Sequence, residues 1–370
     1  HRDRMITVFL AYFIVITSLF LSETLLMTLY LFVSVGVTTA VLIRINDPGG
    51  RITANLKLSG VIMAQAIPLA LLFFFLFPRI EGSLFGLWFS STAKTGFSDR
   101  LSPGGVARLV ENTDAAFRAT FEAGIPPVSR LYWRGIVFDA FDGRAWRASE
   151  SAAPAGRLPE GRESVTYTVM LEPHHYRWLF VLEMPAQKIH QAELLGDYTF
   201  RAGSPVSRKM SYDMTSYAQY TTGPEDEGVL RASLRLPDNI NPGARRLAAE
   251  LTADAATMEE KANRVLDFFR DNGFGYTLSP PRLGRHSVDD FIFSAKSGYC
   301  EHYASAFAFM MRSIDVPARV VGGYLGGEVN PYADYLIVRQ SDAHAWVEIW
   351  GRENGWIRMD PTAAVAPARI

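Results

Sequence analysis

Cysteine is nearly absent: Cys300 is the single one in 370 residues. That excludes an intrachain disulfide and any cysteine cluster for zinc or iron–sulfur. Net charge is nearly absent too, since 37 Lys and Arg face 38 Asp and Glu. No global basic field is therefore available for nucleic acid. There is no EF-hand calcium loop. The doubled glycines Gly322-Gly323 and Gly326-Gly327 precede no helix start, which excludes a phosphate-binding loop and assigns them to strand ends or bulges. His174-His175 and His190 have no third ligand at useful spacing and read as surface histidines. No metal and no cofactor is expected. Tryptophan is missing from the whole stretch between Trp178 and Trp346.

Apolar runs are plentiful, and they concentrate at the start. Residues 6–21, 24–43 and 58–77 are three runs near the ~20 residues that cross a hydrocarbon core, and they read as transmembrane helices. Pro68 inside the third is tolerable in a membrane helix and would kink it. Arg2 and Arg4 precede the first run, and Arg44, Arg51 and Lys57 lie between the second and third, whereas Ser22-Glu23 carries no basic residue. The positive-inside rule then places the N-terminus and the 44–57 loop in the cytoplasm and everything after Arg79 on the far side. In a bacterium the far side is the periplasm. His1-Arg2-Asp3-Arg4 is not a natural initiator, so earlier spans are expected upstream.

Residues 78–111 read as a linker. From Ala116 the pattern turns to period two, and Asp142-Gly143 between Leu131–Phe138 and Ala145–Arg147 signals a hairpin. Further strands are expected at Ser164–Glu172, Trp178–Glu183 and Lys209–Tyr220. Residues 112–222 thus form an antiparallel β domain, with Tyr132, Trp133 and Trp146 as core aromatics rather than a binding platform.

Residues 223–370 mix helices and strands. Asn241-Pro242 marks a helix start with proline at its first position, and Thr257-Met258-Glu259-Glu260 is a capping box. Asp289-Asp290 reads as a cap before the Cys300 segment. Cys300 opens a helical pattern carrying Ala304, Phe307 and Met311. A lone cysteine is more often a small core hydrophobe, yet a thiol at a helix N-terminus meets unpaired N–H groups that favour the thiolate. Strands are expected at Ala318–Tyr324, Asp334–Arg339, His344–Trp350 and Trp356–Asp360. A thiolate nucleophile needs a base, and the base needs a carboxylate to orient it. Cys300, His344 and Asp360 supply the three in order. A tight turn at Asn354-Gly355 would put Asp360 on the wrong face. A loop over Gly351–Gly355 pairs Trp350 with Trp356 and makes His344 and Asp360 diagonal neighbours. His302, two residues beyond Cys300, points away from it and reads as packing, Glu301 as a solvated or dipole-satisfying charge. Trp346 is core that also flanks the base and could shape an acyl pocket.

Gly298-Tyr299-Cys300-Glu301-His302-Tyr303-Ala304, Pro317-Ala318-Arg319-Val320-Val321-Gly322-Gly323-Tyr324, Ala343-His344-Ala345-Trp346-Val347-Glu348 and Asp360-Pro361-Thr362 resemble the bacterial transglutaminase-like core. With the apolar runs and the Tyr132-Trp133-Arg134-Gly135 … Phe141-Asp142-Gly143-Arg144-Ala145-Trp146 segment, the chain resembles the membrane-anchored TgpA-type proteins. That resemblance implies an α+β, papain-like fold, a periplasmic catalytic domain, the triad Cys300, His344 and Asp360, and a further span after Ile370. It implies transfer from glutamine to amines, with glutamine- and amine-bearing envelope proteins or peptides and the lipid bilayer as partners. The competing readings are a cysteine peptidase or amidase of the envelope and a non-catalytic scaffold. The intact triad set argues against the scaffold, and the gap of 44 residues from Cys300 to His344 argues against a papain-type protease, whose spacing is about 130–150. The Cys300 backbone N–H is a natural half of an oxyanion hole. Animal transglutaminases complete it with an upstream indole, which is missing here, leaving Tyr276 as the candidate. Tyr276, Trp346 and His302 are the weaker substrate-site candidates.

Overall fold

A computed structural model describes residues 2–18, 25–49, 51–76, 99–102, 112–148 and 157–367, in two compact units, His1–Thr92 and Ala93–Ile370. The first unit holds α1 (Arg2–Ser18), α2 (Leu25–Asn46) and α3 (Ile52–Leu76). These lie over the three apolar runs, with α3 beginning upstream of Leu58 because Ile52–Lys57 contains no helix breaker. Ser22-Glu23 and Phe77 fall outside the described residues. One segment, Ile52–Leu69, is long and apolar enough to cross a membrane by length and composition, while Arg4–Val15 and Tyr30–Asn46 are shorter apolar helices. Phe9, Phe13, Phe32, Val33 and Leu69 are exposed. Polar contacts lie between the helices: the Tyr12 and Thr39 hydroxyls are 2.7 Å apart, and Ser59 Oγ donates to the Gly36 carbonyl at 2.7 Å. A Cβ on Gly36 would sit 3.0 Å from Met63 Sδ, so the glycine sets how closely α2 and α3 approach.

In the second unit the main strands are β1 (Ala115–Phe121), β2 (Tyr132–Phe138), β3 (Glu160–Leu171), β4 (Val181–Leu182), β5 (Met184–Pro185), β6 (Met210–Thr221), β7 (Ala318–Leu325), β8 (Glu328–Val329), β9 (Leu336–Arg339), β10 (Ala343–Gly351) and β11 (Gly355–Met359). They build a six-stranded sheet ordered β8-β9-β1-β3-β6-β5 and a five-stranded sheet ordered β11-β10-β7-β2-β4. The boundary expected at 222/223 therefore runs through both sheets. Strands β8 and β9 extend the sheet begun by β1, and β2 and β4 complete the sheet of β7, β10 and β11. Each stretch pairs backbone donors and acceptors that would otherwise lie on an open edge of the other. Residues 112–222 are thus not a separate compact body.

Two further expectations are corrected locally. The Asp142-Gly143 hairpin is present, but its arms are Ala140–Phe141 and Trp146–Arg147, while β2 pairs with β7 and β4. Asp142 Oδ1 accepts from the Arg144 and Ala145 amides, which closes that turn locally and leaves β2 free to pair elsewhere. Of the expected linker, the described Arg100–Leu101 pairs with Trp146–Arg147 as a short strand.

The helices around the core start as their sequences suggest, with one exchange. Helix α5 (Met258–Asp271) carries the full Thr257–Glu260 capping box. Helix α4 (Pro242–Leu251) follows Asn241, which sits in the left-handed region at φ 51° and makes no side-chain cap to it. Asp289 caps α4 instead, its carboxylate accepting from Gly243 N at 2.9 Å and Ala244 N at 2.7 Å. Asn241 Oδ1 in turn accepts from Val288 N and Asp289 N at 3.1 and 3.4 Å. Asp289 thus caps α4 and Asn241 caps the short helix Ser287–Asp289, so the pair clamps the segment entering Cys300 to α4. Asp289→Ala removes two of the orphan-donor contacts at once and is expected to lower the unfolding free energy by about 1–2 kcal/mol. A urea midpoint unchanged from wild type would show that water replaces the carboxylate.

Candidate active site

Helix α6 (Cys300–Ser313) begins at Cys300, directly after Tyr299 in extended conformation. The entry is shaped by Gly298, where a Cβ would come within 2.8 Å of the His302 ring. Every residue from Cys300 to Arg312 is buried, and α6 shares one core with Ala318, Val320, Ala345, Val347 and Ile349 of the five-stranded sheet. A helix buried on all sides is a rigid mount, and it holds the Cys300 thiol fully out of solvent.

His344 is the second residue of β10 and pairs with Gly323 on β7. The β7–β2 register shifts between Gly322 and Gly323, and a side chain on Gly323 would be driven into the Trp133 carbonyl. These glycines are bulge residues, and the bulge lets the β2 backbone press against β7 beside the histidine. On the other side, Trp350 pairs with Trp356, Gly351 with Gly355, and the ladder ends at Val347 and Met359. Asp360 follows immediately, one step beyond Met359 and level with Trp346. This is the register that makes His344 and Asp360 diagonal neighbours.

His344 Nε2 donates to Asp360 Oδ2 at 2.7 Å. Asp360 is also the N-cap of the short helix Pro361–Val365, and its Oδ1 accepts from Thr362 N at 2.9 Å. The Asp360-Pro361-Thr362 order thus has a backbone cause: a capping carboxylate, a proline at the first helical position, and an amide aimed back at the carboxylate. Cys300 is near enough to His344 for its side chain to act on the imidazole's charge. With Nε2 occupied by Asp360, Nδ1 is the ring nitrogen left for proton transfer. Burial opposes charge on His344, but the charge and hydrogen bond of Asp360, with those of Cys300, outweigh it and raise the imidazole to about 10. Burial likewise pushes Asp360 up, and His344, Tyr132 and the Thr362 amide together bring it below its ordinary value.

The other sequence candidates fall into different environments. Trp346 is buried, its ring 6.3 Å from His344 and nearly parallel to it. Tyr276 lies in a two-residue parallel pairing, opposite Gly298, with Thr277 N donating to the Gly298 carbonyl at 2.8 Å. It is thereby brought alongside the strand that leads into Cys300. His302 is buried between the rings of Tyr299 and Phe291, and burial outweighs a backbone hydrogen bond at Tyr299 to lower it to about 4. It is neutral near pH 7. Of the two expectations for Glu301, a solvated or a dipole-satisfying charge, the solvated one is corrected: it is buried in the first turn of α6 and accepts from the Tyr299 hydroxyl at 2.8 Å. His174 is not a surface residue either. It packs against Phe180, with Nδ1 accepting from Tyr176 N, while His175 and His190 are exposed. Among the described residues, no group of three or more His, Cys, Asp or Glu is arranged to hold a metal ion.

One residue at the centre was missed by sequence reasoning. The Tyr132 hydroxyl donates to Asp360 Oδ2 at 2.8 Å, the oxygen that also receives His344. The sequence pattern places Tyr132 in the core of a separate domain, and nothing local in Tyr132-Trp133-Arg134-Gly135 signals a contact 228 residues away.

The chain matches two family descriptions, the TgpA N-terminal domain over residues 1–223 and the transglutaminase-like superfamily over residues 245–361. It is 38% identical over its whole length to a protein-glutamine gamma-glutamyltransferase of Pseudomonas aeruginosa, covering 56% of that protein. It is 26% identical to the uncharacterized protein YebA of Bacillus subtilis over 73% of the chain, covering 43% of that protein. The chain thus spans about half the length of these curated relatives. Among solved structures, the periplasmic domain of TgpA from Pseudomonas aeruginosa superposes with a TM-score of 0.71 at 40% identity, covering 74% of this chain and 96% of that one.

Proposed function

Since the chain belongs to the family of TgpA-type transglutaminase-like proteins, we propose that it is a protein-glutamine γ-glutamyltransferase with Cys300 as nucleophile. The observation that carries this reading is His344 hydrogen-bonded to the Asp360 carboxylate and close enough to Cys300 for the two to interact. Cys300 sulfur attacks the γ-carboxamide carbon of a glutamine side chain. As the tetrahedral intermediate collapses, the C–N bond breaks and His344 Nδ1 delivers a proton to the departing ammonia. A thioester remains on Cys300. A primary amine, such as a lysine side chain, then gives a proton to His344 and attacks the thioester, forming the isopeptide bond and freeing the thiolate. Water in place of the amine yields deamidation. Asp360 fixes the orientation of His344 and balances its positive charge in both half-reactions.

The oxyanion formed in each half-reaction needs two donors. The Cys300 amide at the start of α6 is one. The parallel pairing of Tyr276 with Gly298 supports Tyr276 as the source of the second. Trp346, beside the base, flanks the acyl group. The three N-terminal helices anchor the enzyme in the cytoplasmic membrane, and the basic residues around them favour an orientation with the second unit in the periplasm. Envelope proteins or peptides bearing accessible glutamine and amine groups are the substrates of this reading.

The test uses the purified chain, wild type and Cys300→Ala, with a glutamine-donor protein and a fluorescent primary amine. Ammonia release and backbone cleavage are followed in the same tubes. Cys300-dependent amine incorporation without cleavage is the expected result. Cys300-dependent cleavage would replace the transferase reading with a peptidase one, and a chain silent in all three readouts whose Cys300 also resists a thiol probe would favour a scaffold.

A further inference from the structure

The centre contains a charged and aromatic array that the triad chemistry alone does not require. Tyr132 on β2 donates to Asp360 Oδ2 at 2.8 Å. Its ring packs edge-on against both Trp346, at 5.3 Å, and His344, at 6.1 Å. The Arg358 guanidinium lies 3.8 Å over the same ring. Arg358 is itself ion-paired with Glu183, which is buried and sits just past β4 in the left-handed region at φ 48°. The order from the thiol outward is Cys300, His344, Asp360, Tyr132, Arg358 and Glu183.

The bland account is that the Tyr132 hydroxyl merely satisfies a buried polar group. Geometry argues for more. Asp360 Oδ1 is fixed by the Thr362 amide, and Oδ2 carries both His344 and Tyr132. Without the hydroxyl, Oδ2 would be held only by the histidine it is meant to orient. Tyr132 is in turn gripped from three sides by Trp346, Arg358 and its place on β2, an edge-free strand between β7 and β4. A donor so restrained fixes a carboxylate more closely than one on a loop.

We propose that Tyr132 is a positioning residue of this centre, its hydroxyl locking the Asp360 oxygen that aims His344 at Cys300, with Arg358 and Glu183 holding its ring. The transglutaminase-like centre of residues 223–370 is then completed by a side chain from the N-terminal family segment, and residues 223–370 alone lack it. The ionisable groups facing this cluster are Cys300 from α6, His344 from β10, Asp360 and Arg358 at β11, and Glu183 beyond β4. Arg130, Arg134 and Tyr220 form the next layer. Burial, the Asp360 charge and the hydrogen bond to it hold the Tyr132 hydroxyl well above the ordinary phenol range, so it stays a donor across the working pH.

The experiment compares wild type with Tyr132→Phe, which deletes one oxygen and keeps the ring. One readout rests on the transferase reading: kcat for amine incorporation is expected to fall about ten-fold, the loss of a hydrogen bond to a charged group, with KM within about two-fold. The other does not depend on any substrate. The rate of Cys300 alkylation by iodoacetamide against pH reports how well the imidazolium supports the thiolate, and its midpoint is expected to rise by about one pH unit. Asp360→Asn is the second background, and there Tyr132→Phe should shift the alkylation midpoint no further. Glu183→Gln, which loosens the Arg358 anchor without touching the triad, should move the midpoint in the same direction by less. It serves if Tyr132→Phe melts too low to assay. An alkylation profile identical to wild type in Tyr132→Phe, or an equal shift in the Asp360→Asn background, would overturn the positioning role. If alkylation shifts as expected while no amine is incorporated even by wild type, the role of Tyr132 stands and the transferase reading fails.

Discussion

Asp360→Asn is expected to lower kcat for amine incorporation by about 10⁴-fold, the size of loss seen when the orienting carboxylate of a histidine-based triad becomes an amide. Two effects combine. The amide would present either an N–H or a carbonyl to His344 Nε2, so the ring tautomer is no longer specified. The charge that contributes most to raising His344 to about 10 is also removed, leaving burial, which lowers it, opposed by Cys300 alone. The sign of the pH effect follows. In wild type the imidazolium contributes stability fully below its unfolded value of ~6.5 and loses it as pH rises toward about 10. Asp360 is depressed, so its contribution is present above ~3.9 and is lost as pH falls through its lowered value. The alkaline limb of kcat/KM should therefore lie towards 10 in wild type and move to the acid side in Asp360→Asn. A variant keeping more than about a tenth of the wild-type kcat would remove Asp360 from the mechanism.

Glu348→Gln is expected to cost the fold about 3–5 kcal/mol, the penalty for breaking a buried ion pair from one side. Glu348 is fully buried on β10, with its Oε1 bound by Arg134 of β2 and its Oε2 by Arg319 Nε of β7 at 2.9 Å. Burial pulls both guanidiniums down, Arg319 to about 10 with Arg134 adding repulsion, yet it remains charged at neutral pH. Arg134 is partly satisfied by the Asp197 carbonyl at 3.1 Å, and Arg319 stacks 4.0 Å over the Trp356 ring. Neither contact supplies a negative charge. Neutralising Glu348 thus leaves two buried cations, between strands of different sequence stretches, with only the carboxylates of Glu183, Asp197 and Glu225 around them to offset their charge. The urea midpoint, followed by tryptophan fluorescence, reads the loss. Replacing all three residues together by apolar side chains of similar volume should recover much of it. If Glu348→Gln unfolds at the wild-type midpoint, water must reach Arg134, Glu348 and Arg319 and these pairs are not buried in solution.

Local chemistry was legible in the sequence wherever a residue and its partner lie close along the chain. The Thr257–Glu260 box, the Cys300 helix and the Trp350–Trp356 register each depend on spacings of a few residues. The Trp350–Trp356 register even ties the loop after β10 to the meeting of His344 with Asp360. What escaped depends on distant pairing. Asn241 looks like the cap of its own helix, and only the approach of residues 286–289 turns its side chain to another. Glu301 looks solvated by charge alone, but α6 is buried on every face and the Tyr299 hydroxyl makes that tolerable. Tyr132 and Arg134 read as ordinary strand residues until β7 and β10 arrive beside them, one to meet Asp360 and the other Glu348.

The interleaving of the sheets has a consequence for how the protein is made. Strand β2 emerges from the ribosome roughly 190 residues before its partner β7, a delay of about 10–40 s at ordinary synthesis rates. During that interval its backbone donors and the buried-to-be Arg134 have no native partner on that side. A chain with such distant strand pairing folds slowly and exposes an adhesive edge while it waits. If export delivers this unit across a membrane as it is synthesised, β2 must be kept from pairing wrongly until Ala318–Leu325 has followed it. Slowing the arrival of the last third of the chain should therefore reduce yield far more than slowing the first.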